Sequence, residues 1–217
     1  MLTNKTLIQP MTFEKKLVNG VFIESYLKQM KKVVDLLDKE KIDRIIERLF
    51  SAWEEGRTIF VMGNGGSAST ATHFACDLSK CTIVEGKKRF KVICLNANIP
   101  LMSSLINDEG FDFLFTEQIK NLMQEKDFLV GFSVHGGNGK DKAGLWSQNL
   151  LKAMDLAKKE YGATLIGFSG CGGGAMKEIA HECLVIPSDD TPHVESFHLA
   201  VEHLICKRLR EKIKDYE

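Results

Sequence analysis

Residues 57–80 read RTIFVMGNGGSASTATHFACDLSK, and this stretch decides the fold. Residues 58–62 are apolar and partly β-branched, which is typical of a buried strand. A glycine turn follows at residues 63–67, and from Ser67 onward the pattern predicts a helix. Glycine permits positive φ and close approach of another molecule, and a helix N-terminus presents free N–H groups. Strand, turn and helix together therefore predict an anion site, usually for phosphate.

The predicted helix also carries two polar side chains on one face. His73 and Asp77 are four residues apart, so they lie on the same side of the helix. An imidazole and a carboxylate in that arrangement can bind a metal ion or transfer a proton. The alternative is structural, with His73 completing a buried hydrogen bond and Asp77 solvated. The motif alone leaves both interpretations open.

Length and composition fit one globular domain. The 217 residues include 29 basic and 29 acidic side chains, so the formal net charge is zero. This balance argues against nucleic acid as a partner. The chain has no apolar run long enough to span a membrane, and residues 1–16 show no signal-like segment, so we expect no membrane partner. The six cysteines form no CxxC pair, and we expect them to be reduced in a cytoplasmic protein.

Strand-like runs alternate with helical patterns along the chain. Residues 1–20 are polar and predict an N-terminal extension, whereas residues 21–217 predict one domain that begins with a helical pair at 21–37 and 42–53. We expect strands at residues 58–62, 91–95, 127–133, 164–169 and 183–186. We expect the later helices from Ser67 and at residues 99–106, 111–123, 145–161, 175–181 and 192–214. Because the strands are continuous apolar runs, they predict an α/β fold with a doubly wound, five-stranded parallel sheet flanked by helices.

Three of the predicted strands end in glycine-rich turns, at residues 63–66, 135–139 and 170–174. In an open parallel sheet, ligands bind outside the carboxyl ends of the strands, where the strand order reverses. We therefore expect the three turns to converge on one ligand site, the alternative being three unrelated tight turns. None has the GxGxxG spacing of a dinucleotide site with its later acidic residue, and the Walker lysine is also missing.

Five segments in the same order resemble the sugar isomerase (SIS) family, and within it the phosphoheptose isomerases. They are GNGGSASTATHFACDL at 63–78, INDEGFDFLF at 106–115, the GFS-xxG turn at 131–136, GFSGCGGGAM at 167–176 and PSDDT at 187–191. The resemblance implies a flavodoxin-like SIS fold and a homotetramer with a sugar-phosphate site at subunit interfaces. It also implies isomerisation of sedoheptulose 7-phosphate to D-glycero-D-manno-heptose 7-phosphate in bacterial surface-heptose biosynthesis.

The resemblance further implies roles for particular residues. Substrate contacts fall on Asn64, Gly65, Gly66, Ser67, Asn107, Asp108, Ser133, His135, Asn138 and Glu195. One zinc ion per active site would be held by His73, Asp77, Glu195 and His203. Asp77 would be the general base, and His203 would be its acid–base partner.

Several positions differ from what the family leads us to expect. Asp77 stands where a glutamate is usual, and Glu195 stands where a glutamine is usual. Val134, His135 and Asn138 replace hydroxyl side chains of the phosphate turn, which keeps an imidazole and an amide as donors. Shortening Glu to Asp withdraws the oxygens by about one bond, and a shift on the order of 1 Å can lower a rate roughly 10²-fold.

The implied metal ligands raise a geometric difficulty. Glu195 and His203 are eight residues apart, which is a rise of about 12 Å on a continuous helix. They can share one ion only if Glu195 lies at a distorted helix start or if the site combines subunits. His198 and Glu202, four apart on one face, form a rival pair, with an exposed or interface hydrogen bond as the alternative.

Three functions remain open from the sequence. The first is isomerisation of a heptose phosphate. The second is a non-catalytic SIS module that binds a sugar phosphate or a protein partner; loss of the base and metal ligands would identify it, but here they are altered and not deleted. The third is a SIS isomerase for another phosphosugar, such as a hexose or amino-sugar phosphate, which a substrate panel would distinguish.

Overall fold

A computed structural model describes residues 18–141 and 144–217. The predicted extension at residues 1–20 therefore falls mostly outside the described residues. The division of the chain into an extension and a domain stays a prediction. The described chain begins with the expected helical pair, α1 (Asn19–Leu36) and α2 (Lys39–Glu55).

Strands and helices alternate after this pair. The strands are β1 (Thr58–Gly63), β2 (Lys91–Cys94), β3 (Phe128–Ser133), β4 (Lys140–Asp141), β5 (Gly144–Leu145), β6 (Thr164–Ser169) and β7 (Glu182–Val185). The helices are α3 (Gly66–Lys80), α4 (Ile99–Asp108), α5 (Leu114–Leu122), α6 (Gln148–Tyr161), α7 (Gly174–Ile179) and α8 (Thr191–Asp215). A 3-10 turn at Phe111–Phe113 precedes α5. Each predicted strand of the sheet is present within a few residues of its expected bounds.

The five longer strands form one sheet in the order β2-β1-β3-β6-β7, and every neighbouring pair is parallel. This confirms the predicted doubly wound α/β architecture. Since β2 and β3 lie on opposite sides of β1, the strand order reverses between β1 and β3. The crevice outside the carboxyl ends of these two strands is where such a fold binds ligands.

Helices cover both faces of the sheet, and the side chains of β1 show how. Ile59 and Val61 belong to the core formed with α2, α3 and α8. Phe60 and Met62 belong to the core formed with α5 and α6. Successive strand residues point to opposite faces, so a strand buried on both faces is apolar throughout.

The expected helix at residues 145–161 begins later than predicted. Residues 140–141 and 144–145 form the short antiparallel strands β4 and β5 instead, and α6 begins at Gln148. Ser147 precedes α6 with a φ of 55°, a left-handed conformation that a helix interior excludes. Apolar periodicity did not reveal this break, because Leu145 and Trp146 continue the apolar pattern toward α6.

Two helices leave apolar side chains uncovered in the single chain. On α1, the exposed side chains include Val21, Ile23 and Leu27. No residue of α4 is buried, and Ile99 at its start is 72% exposed. Exposed apolar side chains of this kind favour contact with another chain. None of the helices in the described part of the chain is long and apolar enough to cross a membrane.

Candidate functional site

The first glycine turn joins β1 to α3 at the point where the strand order reverses. Gly65 has a φ of 57°, which requires glycine. Gly63 has a different role, because a side chain there would overlap the carbonyl group of Ser67. Gly66 faces the carboxylate of Glu195, and a Cβ atom would lie 2.5 Å from Oε2. The start of α3 therefore lies beside a negative charge of the chain itself.

Three amide side chains hold this turn in place. Asn64 and Asn149 of α6 exchange hydrogen bonds, each 2.9 Å long. Asn96 accepts a hydrogen bond from the Gly63 N–H group at 3.0 Å and donates one to the Gly63 carbonyl group at 2.9 Å. The turn is therefore hydrogen-bonded both to α6 and to the loop that follows β2.

The second glycine turn follows β3 and gathers hydroxyl groups at its base. Ser133 Oγ accepts a hydrogen bond from Gly136 N–H at 3.1 Å and lies 3.0 Å from Ser147 Oγ. Ser147 occupies the N-cap position of α6, but its side chain does not cap that helix. Two hydroxyl groups beside a helix N-terminus are suited to an anionic group such as phosphate.

Ser147 is a site residue that the sequence analysis missed. It lies 14 positions after Ser133, and the hairpin of β4 and β5 separates the two. A serine directly before a helical run is a common helix-start signal, and that signal could have drawn attention to it. The phosphate turn therefore retains a second hydroxyl group, despite the replacements at residues 134, 135 and 138.

The third glycine turn does not open onto the same site. A Cβ atom at Gly174 would lie 2.5 Å from the His135 carbonyl oxygen, and one at Gly136 would overlap the Gly173 carbonyl group. Met176 N–H also donates to the Gly136 carbonyl oxygen at 2.8 Å. The expectation that three turns converge on the ligand site is therefore wrong for the third turn, which does not line the cavity. It packs against the second turn instead.

A cavity of about 640 Å³ opens at the carboxyl ends of β1 and β3. Its polar wall includes Asn64, Ser67, Ser133, His135, Ser147, Gln148, Thr191 and Glu195. Its apolar wall includes Phe111, Phe132, Val134, Leu145 and Trp146. The volume and the mixture of polar groups with aromatic rings suit a small phosphorylated sugar.

His135 and Trp146 form the wall beside the second turn. Their ring centroids are 4.1 Å apart. The backbone N–H group of Trp146 donates a hydrogen bond to the Gly139 carbonyl oxygen at 3.0 Å. Burial lowers the pKa of His135, although the charge of Asp189 opposes this shift. The imidazole is therefore neutral at pH 7 and can act as a hydrogen-bond partner.

Three residues that the resemblance assigned to substrate binding do not line the cavity of their own chain. Asn138 is exposed and is not among the residues that line the cavity. Asn107 and Asp108 are exposed at the end of α4, where the Asn107 amide donates to Asp108 at 2.7 Å. Within one chain, the cavity instead receives Phe111 and Asp112 from this region.

A second group of titratable side chains lies where α3 packs on α8. His73, Asp77, Glu202 and His203, called here the His/carboxylate group, each place a ligand atom within 4.8 Å of the others. The Nε2 atoms of His73 and His203 are 3.0 Å apart. Asp77 Oδ2 is 3.5 Å from the Nε2 atom of His203. Two imidazoles and two carboxylates at such distances form a set that zinc accepts.

Glu202 is the member of this group that the sequence analysis did not assign. Its side chain is fully buried, and in the described structure neither carboxylate oxygen has a hydrogen-bond partner. Burial, together with the charge of Asp77, raises the pKa of Glu202 to about 8. A buried carboxyl group without a partner is costly, and a bound cation would remove that cost. The site therefore fits a divalent ion on its own geometry.

Of the rival pair of His198 and Glu202, only Glu202 belongs to the His/carboxylate group. His198 is fully buried beside the rings of Phe132 and Phe168, at centroid distances of 5.9 and 6.1 Å. Burial lowers its pKa to about 4. The expected exposed or interface hydrogen bond is wrong, because both side chains of the pair are buried within the chain.

Glu195 lies apart from the His/carboxylate group. Helix α8 is continuous from Thr191 to Asp215, so Glu195 and His203 are separated by the rise of about 12 Å that their spacing requires. Glu195 lines the cavity, whereas no member of the His/carboxylate group does. Within one chain, the His/carboxylate group contains Glu202 and not Glu195, and the role of Glu195 as a zinc ligand stays a prediction.

Comparison with known proteins gives consistent matches. A family model described as a SIS domain matches residues 22–143. Lincomycin biosynthesis protein LmbN of Streptomyces lincolnensis is 43% identical over 73% of this chain, but the chain spans only 58% of LmbN. Phosphoheptose isomerase 1 of Campylobacter jejuni is 35% identical over 87% of this chain and 97% of its own length. The solved structure of a phosphoheptose isomerase from Francisella tularensis, 24% identical, shares the fold with a TM-score of 0.78 over 90% of this chain and 100% of its own.

Proposed function

This chain belongs to the phosphoheptose isomerases of the SIS family, and we propose that it interconverts sedoheptulose 7-phosphate and D-glycero-D-manno-heptose 7-phosphate. The observation that carries this proposal is the pair of Ser133 and Ser147 hydroxyl groups, 3.0 Å apart, at the start of α6. They line a cavity of about 640 Å³, which is large enough for a sugar phosphate. The hydroxyl group of Ser147 also weakens the argument for another phosphosugar, which rested on an altered phosphate turn.

Aldose–ketose isomerisation moves one proton between neighbouring carbons and requires that the carbonyl oxygen be polarised. The resemblance assigns this chemistry to Asp77 and His203, and both belong to the His/carboxylate group. The Cys81 thiol donates a hydrogen bond to Asp77 Oδ1 at 3.3 Å and orients that carboxylate. Among the base and metal-ligand positions, Asp77 and Glu195 depart from the family pattern, but none of these side chains is deleted, which favours an enzyme over a binding module.

We further propose that the His/carboxylate group holds one zinc ion. His73, Asp77, Glu202 and His203 would be its ligands, and their donor types match those of zinc sites in proteins. When bound, zinc would supply a Lewis acid for the carbonyl oxygen. Because Glu202 carries a pKa of about 8, loading the ion at neutral pH would also release a proton.

We propose that the active enzyme is a homotetramer in which neighbouring chains share each active site. In one chain, the cavity and the His/carboxylate group have no residue in common. The uncovered apolar side chains of α1 and α4 offer surfaces for contact between copies. Asn107 and Asp108, which lie outside the cavity of their own chain, would reach the substrate of a neighbour. Location in the cytoplasm also stays a prediction.

Proton NMR of the purified protein with sedoheptulose 7-phosphate in D₂O tests the activity. We expect an aldoheptose phosphate to appear, with deuterium at the exchanging carbon and a faster reaction when zinc is added. Absence of turnover with and without zinc would contradict the proposed function. Parallel reactions with hexose and amino-sugar phosphates would show whether another phosphosugar is preferred.

A further inference from the structure

Helix α8 brings the carboxylate of Glu195 into the wall of the cavity. Val194 and Phe197, on either side of it in the helix, are buried in the core and hold this part of α8 in place. The carboxylate packs against Gly66, where a Cβ atom would lie 2.5 Å from Oε2. Any side chain at residue 66 would displace it. The position of Glu195 is therefore set by packing on a rigid element.

The oxygens of Glu195 are available to a ligand in the cavity. No hydrogen bond or ion pair within residues 18–141 and 144–217 engages them. Asp77 differs, because its Oδ1 accepts from the Cys81 thiol at 3.3 Å and its Oδ2 lies 3.5 Å from His203 Nε2. Both oxygens of Asp77 face protein groups, whereas Glu195 lines the cavity and packs against Gly66.

The N-terminal ends of two helices lie close to Glu195. Gly66 is the first residue of α3, and the N-terminal end of a helix is positive. Glu195 also lies in the second turn of α8, near the N-terminal end of that helix. A carboxylate held there can accept a proton from a carbon atom, provided that the phosphate group lies at Ser133 and Ser147 in the same cavity.

We propose that Glu195 is the base that carries the carbon-bound proton in the isomerisation, while Asp77 acts as a ligand in the His/carboxylate group. This inference rests on the proposed function. Glu195 would take a proton from C1 of the ketose, and the electrons of that C–H bond would form the C1=C2 bond of an enediol as O2 gains a proton. Glu195 would then return its proton to C2 as O1 loses its proton and C1=O forms. No external oxidant or reductant is required.

The inference gives one explanation for two departures from the family pattern. The carboxylate at residue 77 is shortened, and a carboxylate is gained at residue 195 where an amide is usual. If Glu195 carries the proton, these are two parts of one change. Asp77 is then free to serve the ion, and its shorter side chain costs nothing in proton transfer.

The test compares Glu195→Gln with Asp77→Asn, using Glu211→Gln as a matched control on the exposed side of α8. Deuterium exchange into sedoheptulose 7-phosphate, turnover, substrate affinity by calorimetry and zinc content by mass spectrometry are measured for each variant. We expect Glu195→Gln to lose exchange and turnover by roughly 10³-fold, with zinc content and substrate affinity near those of the wild type. Asp77→Asn should lose zinc, and added zinc should restore part of its exchange.

Each outcome bears on a different statement. If the wild type is active and Glu195→Gln retains its exchange, the inference is overturned while the proposed function stands. If Asp77→Asn abolishes exchange at full zinc content, Asp77 is the base and the inference is again overturned. A wild type without exchange or turnover would overturn the proposed function and the inference together.

Discussion

The cavity and the His/carboxylate group differ in how the fold builds them. The cavity is assembled from turns and helix starts at the carboxyl ends of β1 and β3, which is where an open parallel sheet binds ligands. The His/carboxylate group lies along two packed helices, α3 and α8, and its exposed side is formed by His73 and His203. The first region is suited to holding a substrate and the second to holding an ion.

Helix α8 connects the two regions and keeps them apart. Glu195 near its start faces the cavity, whereas Glu202 and His203 lie two turns later in the His/carboxylate group. His198 lies between them and is packed into the core. A single continuous helix therefore fixes the separation of the two regions within one chain.

Among the three changes that compare these regions, Glu202→Gln in the His/carboxylate group is expected to have the largest effect, and this effect is on zinc affinity. An amide replaces a carboxyl group of the same shape, so the fold is retained while a charged ligand is lost. Zinc affinity should fall by roughly 10²-fold or more, and the proton released on binding at pH 7 should disappear. Calorimetry in buffers of different ionisation enthalpy measures both. Unchanged zinc affinity would show that Glu202 is no ligand and that the two regions are less distinct than proposed.

A smaller effect is expected from Ser147→Ala in the cavity. Removing one hydroxyl group from a phosphate contact should lower kcat/KM roughly 10–100-fold, mainly through KM, since a hydrogen bond to a charged group is worth about 1.5–3 kcal/mol. Zinc affinity should be unaffected. Ser51→Ala on α2, whose hydroxyl group donates to the Arg48 carbonyl oxygen, is the control. If Ser147→Ala kept the wild-type KM, the serine pair would not be the phosphate site.

The third prediction concerns His198, which lies between the two regions on α8. Burial lowers the pKa of His198 to about 4, so below about pH 6.5 the unfolded chain binds a proton that the folded chain does not. Stability should therefore fall with pH down to about 4. Urea titrations of the wild type and His198→Leu should show the difference in their unfolding free energies shifting by about 2 kcal/mol between pH 8 and pH 5. A constant difference would mean that the pKa of His198 is the same in the folded and the unfolded chain.

Much of the fold follows from local patterns in the sequence. The runs at residues 58–62 and 127–133 are apolar without interruption, and both became central strands buried on two faces. Their position and the glycine turns after them were enough to locate the cavity. His73, Asp77 and His203 were also identified correctly as neighbours, since the first two share a helix face and the resemblance supplied the third.

The parts that the sequence could not predict depend on contacts between distant segments. Ser147 reaches Ser133 only because the hairpin of β4 and β5 folds back, and residues 140–145 carry no strong hairpin signal. Glu202 was singled out from the sequence only as the partner of His198, and its burial depends on how α8 packs against α3. The third glycine turn resembled a ligand turn, yet it packs against the second.

The most direct test of the account is a subunit-mixing experiment. Ser133→Ala/Ser147→Ala disables the cavity and His203→Ala disables the His/carboxylate group, so each variant alone should be nearly inactive. If neighbouring chains share each active site, co-refolded or co-expressed mixtures should regain a substantial fraction of wild-type turnover, because some sites combine an intact cavity with an intact group. Mixtures that form mixed oligomers yet stay as inactive as the separate variants would contradict the account.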